Sequence, residues 1–239
     1  TGQKSLSIAL GVQAGSSEQG TNAVAIGYGA GSETQGGNAV ALGYLAGNDT
    51  QGTNAVAIGT SAGQTGQQSN AVAIGDGAGQ YGQVSNAIAV GYLAGRYNQQ
   101  IDSIALGNLA GQTGQGRNSV AIGKYAAQTG QGEHCVAIGD GAAQSNQGSY
   151  SVAIGFVAGG SVQHANTIVL NASGTQLNTV GATSLYVAPI RNTGPDVAIS
   201  ATSGNPLIYD SSTKEITTSD VPLFCGVYML DGGSRASYP

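Results

Sequence analysis

The sequence predicts an all-β protein, a parallel β-solenoid built from 16-residue coils. One hexapeptide, Asn22–Gly27, returns at a constant spacing along the chain. Large and small apolar residues alternate within it, and a glycine closes it. Self-similarity at a fixed period is typical of stacked repeat architectures. Copies of the phrase begin at residues 6, 22, 38, 54, 70, 86, 102, 118, 134, 150 and 166, so no insertion disturbs the register.

The alternation inside the phrase is that of a β-strand. Val24 and Ile26 point to one side. Ala23 and Ala25 point to the other, where the equivalents in other copies are only Ala, Ser, Cys, Thr or Val. A side kept small in every copy predicts close contact with another backbone layer. Gly27 is expected in a turn because it lacks a Cβ atom, and the length of one unit accommodates the two short strands and two turns of a single coil.

A glutamine recurs at one position in the second half of each unit, between variable polar neighbours. Its side-chain amide can pair with the amide one coil away or with turn carbonyls, which predicts a structural ladder rather than a ligand site. The ladder residues are Gln19, Gln35, Gln51, Gln67, Gln83, Gln99, Gln115, Gln131, Gln147 and Gln163.

The composition excludes several classes of protein. Glycine accounts for 41 of 239 residues but does not recur at every third position, as it does in collagen. Only 8% of residues are charged and the net charge is −5, which argues against charge-driven disorder and against nucleic-acid binding. No apolar run approaches the roughly 20 residues of a membrane span, so membrane insertion is not expected. Cys135 and Cys225 are expected as free thiols.

A single thread of such coils buries little apolar surface. The aliphatic residues of one coil offset only part of the conformational entropy that is lost when its backbone and side chains become ordered. Burial of the small-residue side against sister chains would supply the missing stabilisation. The residues therefore predict lateral homo-oligomerisation, and they leave the number of chains open.

The phrase resembles a known repeat. Asn22–Gly27, and especially Asn118–Gly123, are similar to the head repeat of YadA-like trimeric autotransporter adhesins. The resemblance extends over roughly residues 5–171, and it implies a left-handed parallel β-roll in a homotrimer, with three chains side by side. It also implies that Val and Ile fill the core of each chain, while the small residues lie toward the chain interfaces.

The chain changes character after the last repeat. All five prolines follow residue 171, and a proline inside a coil would remove a ladder donor. We therefore predict a repeat β-roll over residues 1–171 and a small β-rich capping or trimerisation region with a flexible tail over 172–239. Ser184–Arg191 and Leu207–Asp210 resemble segments of fibre and surface attachment proteins of the phage or chlorella-virus type. This resemblance implies a location on the virion surface, with a bacterial outer surface or secretion as the alternative.

No combination of residues predicts catalysis, a metal site or a cofactor. His134 and His164 lie at different registers of the repeat, so they would not stack into a metal site. Asp76 and Asp140 share a register but are four coils apart, roughly 19 Å, which is too far for a pair of glycosidase carboxylates within one chain. We expect that the chain is not an enzyme.

The positions that vary from coil to coil are where binding would occur. The residue after the repeat glycine is Tyr, Thr, Asp, Asn, Lys or Phe, so it must be accessible to solvent. Aromatic residues there and at two other positions are candidates for stacking on sugar rings, although packing along the solenoid axis is the favoured interpretation. The candidate glycan-binding residues are Tyr28, Tyr44, Tyr81, Tyr92, Tyr97, Tyr125 and Phe156.

Three functions are compatible with these residues. The first is a trimeric attachment protein, an adhesin or virion fibre, that binds a host-cell-surface glycan or the cell wall. The second is a passive structural spacer of a fibre. The third, less favoured, is a polysaccharide-degrading enzyme on a β-solenoid. The resemblance to adhesin heads favours the first.

Overall fold

A computed structural model describes residues 3–189, 207–209 and 216–218 of the chain. These residues form short strands joined by turns. No helix occurs among them, so none is long and apolar enough to cross a membrane. In chain order the strands are β1 (Ile8–Leu10), β2 (Glu18–Gln19), β3 (Val24–Ile26), β4 (Thr34–Gln35), β5 (Val40–Leu42), β6 (Asp49–Gln51), β7 (Val56–Ile58), β8 (Thr65–Gln67), β9 (Val72–Ile74), β10 (Ile88–Val90), β11 (Ile104–Leu106), β12 (Thr113–Gln115), β13 (Val120–Ile122), β14 (Thr129–Gln131), β15 (Val136–Ile138), β16 (Ser145–Gln147), β17 (Val152–Gly155), β18 (Ile168–Asn171), β19 (Leu185–Ala188), β20 (Leu207–Tyr209) and β21 (Ile216–Thr218).

The main sheet contains twelve parallel strands, in the order β1, β3, β5, β7, β9, β10, β11, β13, β15, β17, β18 and β19. Each residue pairs with its equivalent in the next coil, as Val24 does with Val40. This step stays constant until the last coil, in which Ile168 pairs with Leu185. The predicted all-β parallel β-solenoid of 16-residue coils is therefore confirmed, with about eleven coils.

The sheet continues beyond residue 171. β18 and β19 pair over four residues, so the chain makes one further coil in the region predicted as a cap. β20 and β21 form an antiparallel pair, which belongs to a unit separate from the solenoid. The rest of the predicted cap, together with its tail and Cys225, lies outside the described residues.

The interior of the solenoid is lined by alanine rather than by large aliphatic residues. Ala25 and Ala41 are fully buried, whereas Val24 and Ile26 point outward and are half-buried. The expectation that Val and Ile fill the core while the small residues face sister chains is therefore wrong. The coil is so short that its opposite walls are too near for a larger aliphatic side chain. The longer last coil does admit Val169, which is fully buried.

The recurring glutamines occupy the remaining interior space. Nε2 of one amide donates to Oε1 of the next at 3.0–3.1 Å, and it also donates to a strand carbonyl, as in Gln51 to Val40 at 2.8 Å. Among the described residues, the buried side-chain atoms without a partner are Oε1 of Gln19, Gln35 and Gln131. One row links Gln35, Gln51, Gln67, Gln83, Gln99 and Gln115, and another links Gln131, Gln147 and Gln163.

The asparagine that opens the phrase is explained by its backbone conformation. Asn22 and Asn38 have φ angles of 59° and 57°, in the left-handed region that asparagine tolerates better than most residues. Their exposed side chains form a second row, in which Nδ2 of one donates to Oδ1 of the next at 3.2 Å. This row contains Asn22, Asn38, Asn54, Asn70 and Asn86, and it ends at Asp102.

Alanine substitutions at two glycines test how tightly the coils stack. A Cβ atom on Gly123, where φ is +123°, would lie 2.5 Å from the carbonyl oxygen of Gly139 in the next coil. At Gly114, where φ is +67°, such a Cβ would meet nothing within 4 Å. We expect Gly123→Ala to lower the free energy of unfolding by ~3 kcal/mol and Gly114→Ala by ~1–2 kcal/mol, measured by urea denaturation. Equal losses would contradict the steric explanation.

A glycine substitution tests the break between the two glutamine rows. Ala127, with a φ of 46°, occupies a position where the equivalent glycines would place an added Cβ 2.5–2.9 Å from the glutamine amide. We expect Ala127→Gly to let Gln131 approach Gln115 and to raise the free energy of unfolding by ~1–2 kcal/mol in the same assay. Ala143→Gly is the control, because it relieves a similar φ of 47° where no bond is missing. Equal increases in the free energy of unfolding for the two variants would show that the missing hydrogen bond between Gln115 and Gln131 does not affect stability.

Candidate functional site

The outward side of the main sheet carries a continuous surface of aliphatic side chains, here called the apolar stripe. It has two ranks, one for each outward position of a strand, and it extends over twelve strands, roughly 53 Å at ~4.8 Å per strand. The first rank is Ile8, Val24, Val40, Val56, Val72, Ile88, Ile104, Val120, Val136, Val152, Ile168 and Leu185, and the second is Leu10, Ile26, Leu42, Ile58, Ile74, Val90, Leu106, Ile122, Ile138, Ile154, Leu170 and Val187.

The apolar stripe leaves aliphatic side chains of regular strands exposed. Leu42, Ile154 and Leu185 are 41%, 40% and 52% exposed, although each lies in a regular strand. Equivalent side chains in adjacent coils cover one another along the axis, but nothing within the described chain covers them laterally. Contiguous apolar patches beyond a few hundred Å² mark interaction surfaces. The stripe therefore has the character of an interaction surface.

Four of the predicted aromatic residues lie two positions after the second rank of the apolar stripe. Tyr28 and Tyr44 stack on each other, with ring centroids 5.4 Å apart and an interplanar angle of 14°. Tyr92 and Phe156 lie farther along the same row and are 51% and 47% exposed. Their position after the strand places all four at the rim of the stripe.

The other three candidates lie at different positions of the coil. Tyr81 and Tyr97 stack with centroids 5.4 Å apart at 12°, and the Arg96 guanidinium lies 4.7 Å from the centroid of the Tyr97 ring. Tyr125 is paired with the Lys124 ammonium at 4.7 Å. The seven aromatic residues therefore do not converge on one site. In each stacked pair the rings cover one face of each other, and the Arg96 guanidinium also lies over the Tyr97 ring, so the remaining faces and the edges are what a ligand could contact.

A third stacked pair is absent from the sequence-based candidates. His134 and Tyr150 have ring centroids 5.2 Å apart at an angle of 8°. Both replace the asparagine of the phrase and keep its positive φ, at 56° and 60°. Their separation by one repeat period is the signal that could have revealed the pair. His164 is engaged differently, with Nδ1 2.7 Å from Oγ1 of Thr179.

Cys135 is a buried free thiol, as expected from the sequence. It occupies a small strand position, and its Sγ lies 3.1 Å from the carbonyl oxygen of Gly148 and 3.3 Å from that of Glu133. Burial raises the pKa of the Cys135 thiol, although backbone hydrogen bonds from Ser151 and Tyr150 act in the opposite direction. A protonated, enclosed thiol is unreactive, which indicates a packing role.

Charged groups are sparse on the described surface. No group of three His, Cys, Asp or Glu side chains within residues 3–189 and the two later strands could hold a metal ion. Arg117 and Glu133, one coil apart, form an exposed ion pair at 3.4 Å, which contributes little to stability. The described coils therefore offer extended surfaces rather than a cluster of reactive side chains.

One family matches part of the chain. The YadA head domain repeat matches in two copies, over residues 4–30 and 19–46. No curated protein and no solved structure gives a significant match. The first coils of the solenoid are thus similar to YadA head repeats, in agreement with the resemblance of the repeated hexapeptide.

Proposed function

We propose that the chain is the homotrimeric head of a surface attachment protein, an adhesin or a virion fibre. The apolar stripe is the observation that carries this proposal. Two aliphatic ranks that repeat every coil require a partner with the same spacing, and another copy of this chain has it. The YadA head repeats in the first coils support three chains, because such repeats belong to trimeric adhesins.

Lateral contact through the apolar stripe would supply the stabilisation that a single coil lacks. Each chain would remove part of its outward Val, Ile and Leu surface from water, at about 25 cal/mol per Å². The fully buried alanines take no part in this contact, so the interface differs from the small-residue interface expected from the sequence. Positions after the repeat glycine would remain at the rim, where they stay accessible.

The mass in solution tests the trimer. Light scattering is expected to give roughly 70 kDa, three times 23.5 kDa. Ile74→Glu would place a carboxylate without a partner in each interface, because Ile74 belongs to the stripe and is 36% exposed in the single chain. We expect this variant to have the mass of one chain.

Thr129→Glu is the matched control for that charge. Thr129 is exposed in β14, a strand outside the main sheet, and Glu33 occupies the equivalent position six coils earlier. We expect the control to keep the mass of the wild type. A wild-type mass of 23.5 kDa, or dissociation caused by Thr129→Glu, would contradict the assignment of the interface.

We propose a host-cell-surface glycan or the cell wall as the target of the head. Exposed aromatic rings on a surface with few charges support a carbohydrate, because ring faces pack against the apolar faces of sugars while hydroxyl groups reach polar side chains. A trimer presents each exposed residue three times. Attachment to a repeated ligand would then be multivalent.

The dependence of binding on assembly tests this proposal. On a sensor coated with cell-wall polysaccharide, we expect the Ile74→Glu monomer to bind ~100-fold more weakly than the wild-type trimer, because avidity is lost. Thr129→Glu, two coils away from Tyr97, should bind like the wild type. Equal binding by monomer and trimer would contradict multivalent attachment, and no binding by the wild type would favour a spacer.

A passive spacer of a fibre is the second candidate. The stacking of Tyr28 on Tyr44 and of Tyr81 on Tyr97 favours it, since each ring already has one covered face. In either function we place the chain on the surface of a virion, with a bacterial outer surface or secretion as the alternative. Neither function involves catalysis, a cofactor, nucleic acid or membrane insertion.

A further inference from the structure

The second wall of the solenoid is interrupted in its middle coils. A four-stranded sheet of β2, β4, β6 and β8 ends at Gln67, and a three-stranded sheet of β12, β14 and β16 begins at Thr113. Between these two sheets, this wall is joined by single bridges, from Thr65 to Tyr81, from Tyr81 to Tyr97, and from Tyr97 to Thr113. The interruption therefore coincides with one of the stacked tyrosine pairs.

A groove of about 390 Å³ lies beside this interruption. Its volume is within the range of small-molecule sites, ~300–1,000 Å³. Gly66 leaves part of the lining open, because an added Cβ would be 4.0 Å from the nearest atom. Thr65, the neighbour of Gly66, pairs with Tyr81, and Ser85 brings the coil of Tyr81 into the lining. The groove is thus lined by residues of the coil of Tyr81 and of the coil that pairs with it.

The side chains that line the groove belong to polar, uncharged residues. Thr50, Ser69 and Ser85 supply hydroxyl groups, and Gln68 supplies an amide whose Oε1 accepts hydrogen bonds from the backbone nitrogen and Oγ of Ser85 at 3.3 Å and 3.1 Å. Arg96 on the nearby surface is already engaged, since its Nε donates to a glutamine Oε1 at 2.8 Å. A chain with a net charge of −5 also repels polyanions. These features select a neutral, hydroxyl-rich ligand.

We propose that the groove and the outer face of Tyr81, the ring that stacks on Tyr97, together bind a neutral oligosaccharide. One sugar ring packs against a tyrosine face, while its hydroxyl groups pair with the serine, threonine and glutamine side chains. This inference rests on the proposed function and deepens it, because it assigns glycan attachment to one place and one class of ligand. The other tyrosine pair, Tyr28 and Tyr44, lies at the rim of the apolar stripe instead.

Removal of the two rings tests the site. Tyr81→Thr/Tyr97→Thr replaces both tyrosines with threonine, the residue found at the same position of the coil at Thr65 and Thr113. Folding is therefore expected to be retained. Binding is measured for the full chain on sensors coated with mannan, chitin oligosaccharides and dextran as neutral probes, and with alginate as the acidic probe. We expect the double variant to raise the Kd for the neutral probe that binds the wild type by about tenfold, with alginate unbound.

Two further variants make the test specific. Tyr28→Thr/Tyr44→Thr is the matched control, since this pair has the same centroid distance of 5.4 Å and Thr60 occupies its position naturally. We expect the control to change the Kd by less than about twofold. Ser69→Arg fills the groove and leaves the tyrosines intact, and Arg117 shows that the position accepts arginine. We expect it to weaken binding about tenfold as well.

The outcomes separate this site from the function on which it rests. Light scattering and circular dichroism first establish that each variant keeps the assembly and fold of the wild type. Wild-type binding that survives both groove variants, or is lost in the Tyr28→Thr/Tyr44→Thr control, overturns the site but not the attachment function. Preferential binding to alginate overturns the neutral class of ligand. Absence of wild-type binding to every coated polysaccharide overturns the site and the attachment function together.

Discussion

The narrow interior of the coil is the constraint on which the rest of the structure depends. Each coil is so short that its walls approach closely, and the inward strand residues, such as Ala25, are fully buried with only a methyl group. Larger aliphatic side chains must then point outward, where a single chain leaves them partly in water. The tendency to assemble therefore follows from the width of the coil, because the packing that excludes valine from the inside places it where another chain can cover it.

The same narrowness explains the recurring glutamine. A flat amide occupies a slot too thin for a branched side chain, and Gln51 satisfies its amide hydrogens on Val40 and on the next glutamine, at 2.8 Å and 3.1 Å. Because the partner is the equivalent residue one coil away, the residue must recur. Where two successive amides do not reach each other, an oxygen is left unpaired, as Oε1 of Gln131 is. Repetition in the sequence is thus a consequence of parallel stacking in register.

The contacts between neighbouring coils could be predicted from the sequence, because the period of the repeat determines which residues meet. The 16-residue period places Tyr81 against Tyr97, for example. Which face of each strand points inward could not be predicted, because alternation separates the two faces without showing which one is inside. Large aliphatic residues usually occupy the interior, and the width of a coil is not encoded in the hexapeptide. The need for some glycines also could not be predicted, because it depends on side chains of the neighbouring coil. An added Cβ on Gly29, for example, would lie 2.7 Å from Cδ2 of Leu45.

A binding site in such a solenoid must lie where the stacking can be relaxed. The residue types at inward positions are limited by the width of the coil, and those at outward positions of the main sheet by assembly. Only the second wall and the turns are then free to vary and to form a binding site. Regular pairing in that wall imposes a flat surface, and a recess requires some pairing to be lost, as it is at Tyr81 and Tyr97. The coils stay together there through the main sheet and through the amides of Gln83 and Gln99, 3.1 Å apart. Because the main sheet and the glutamine row hold the coils together, the second wall can lose regular pairing and form a recess that binds a ligand.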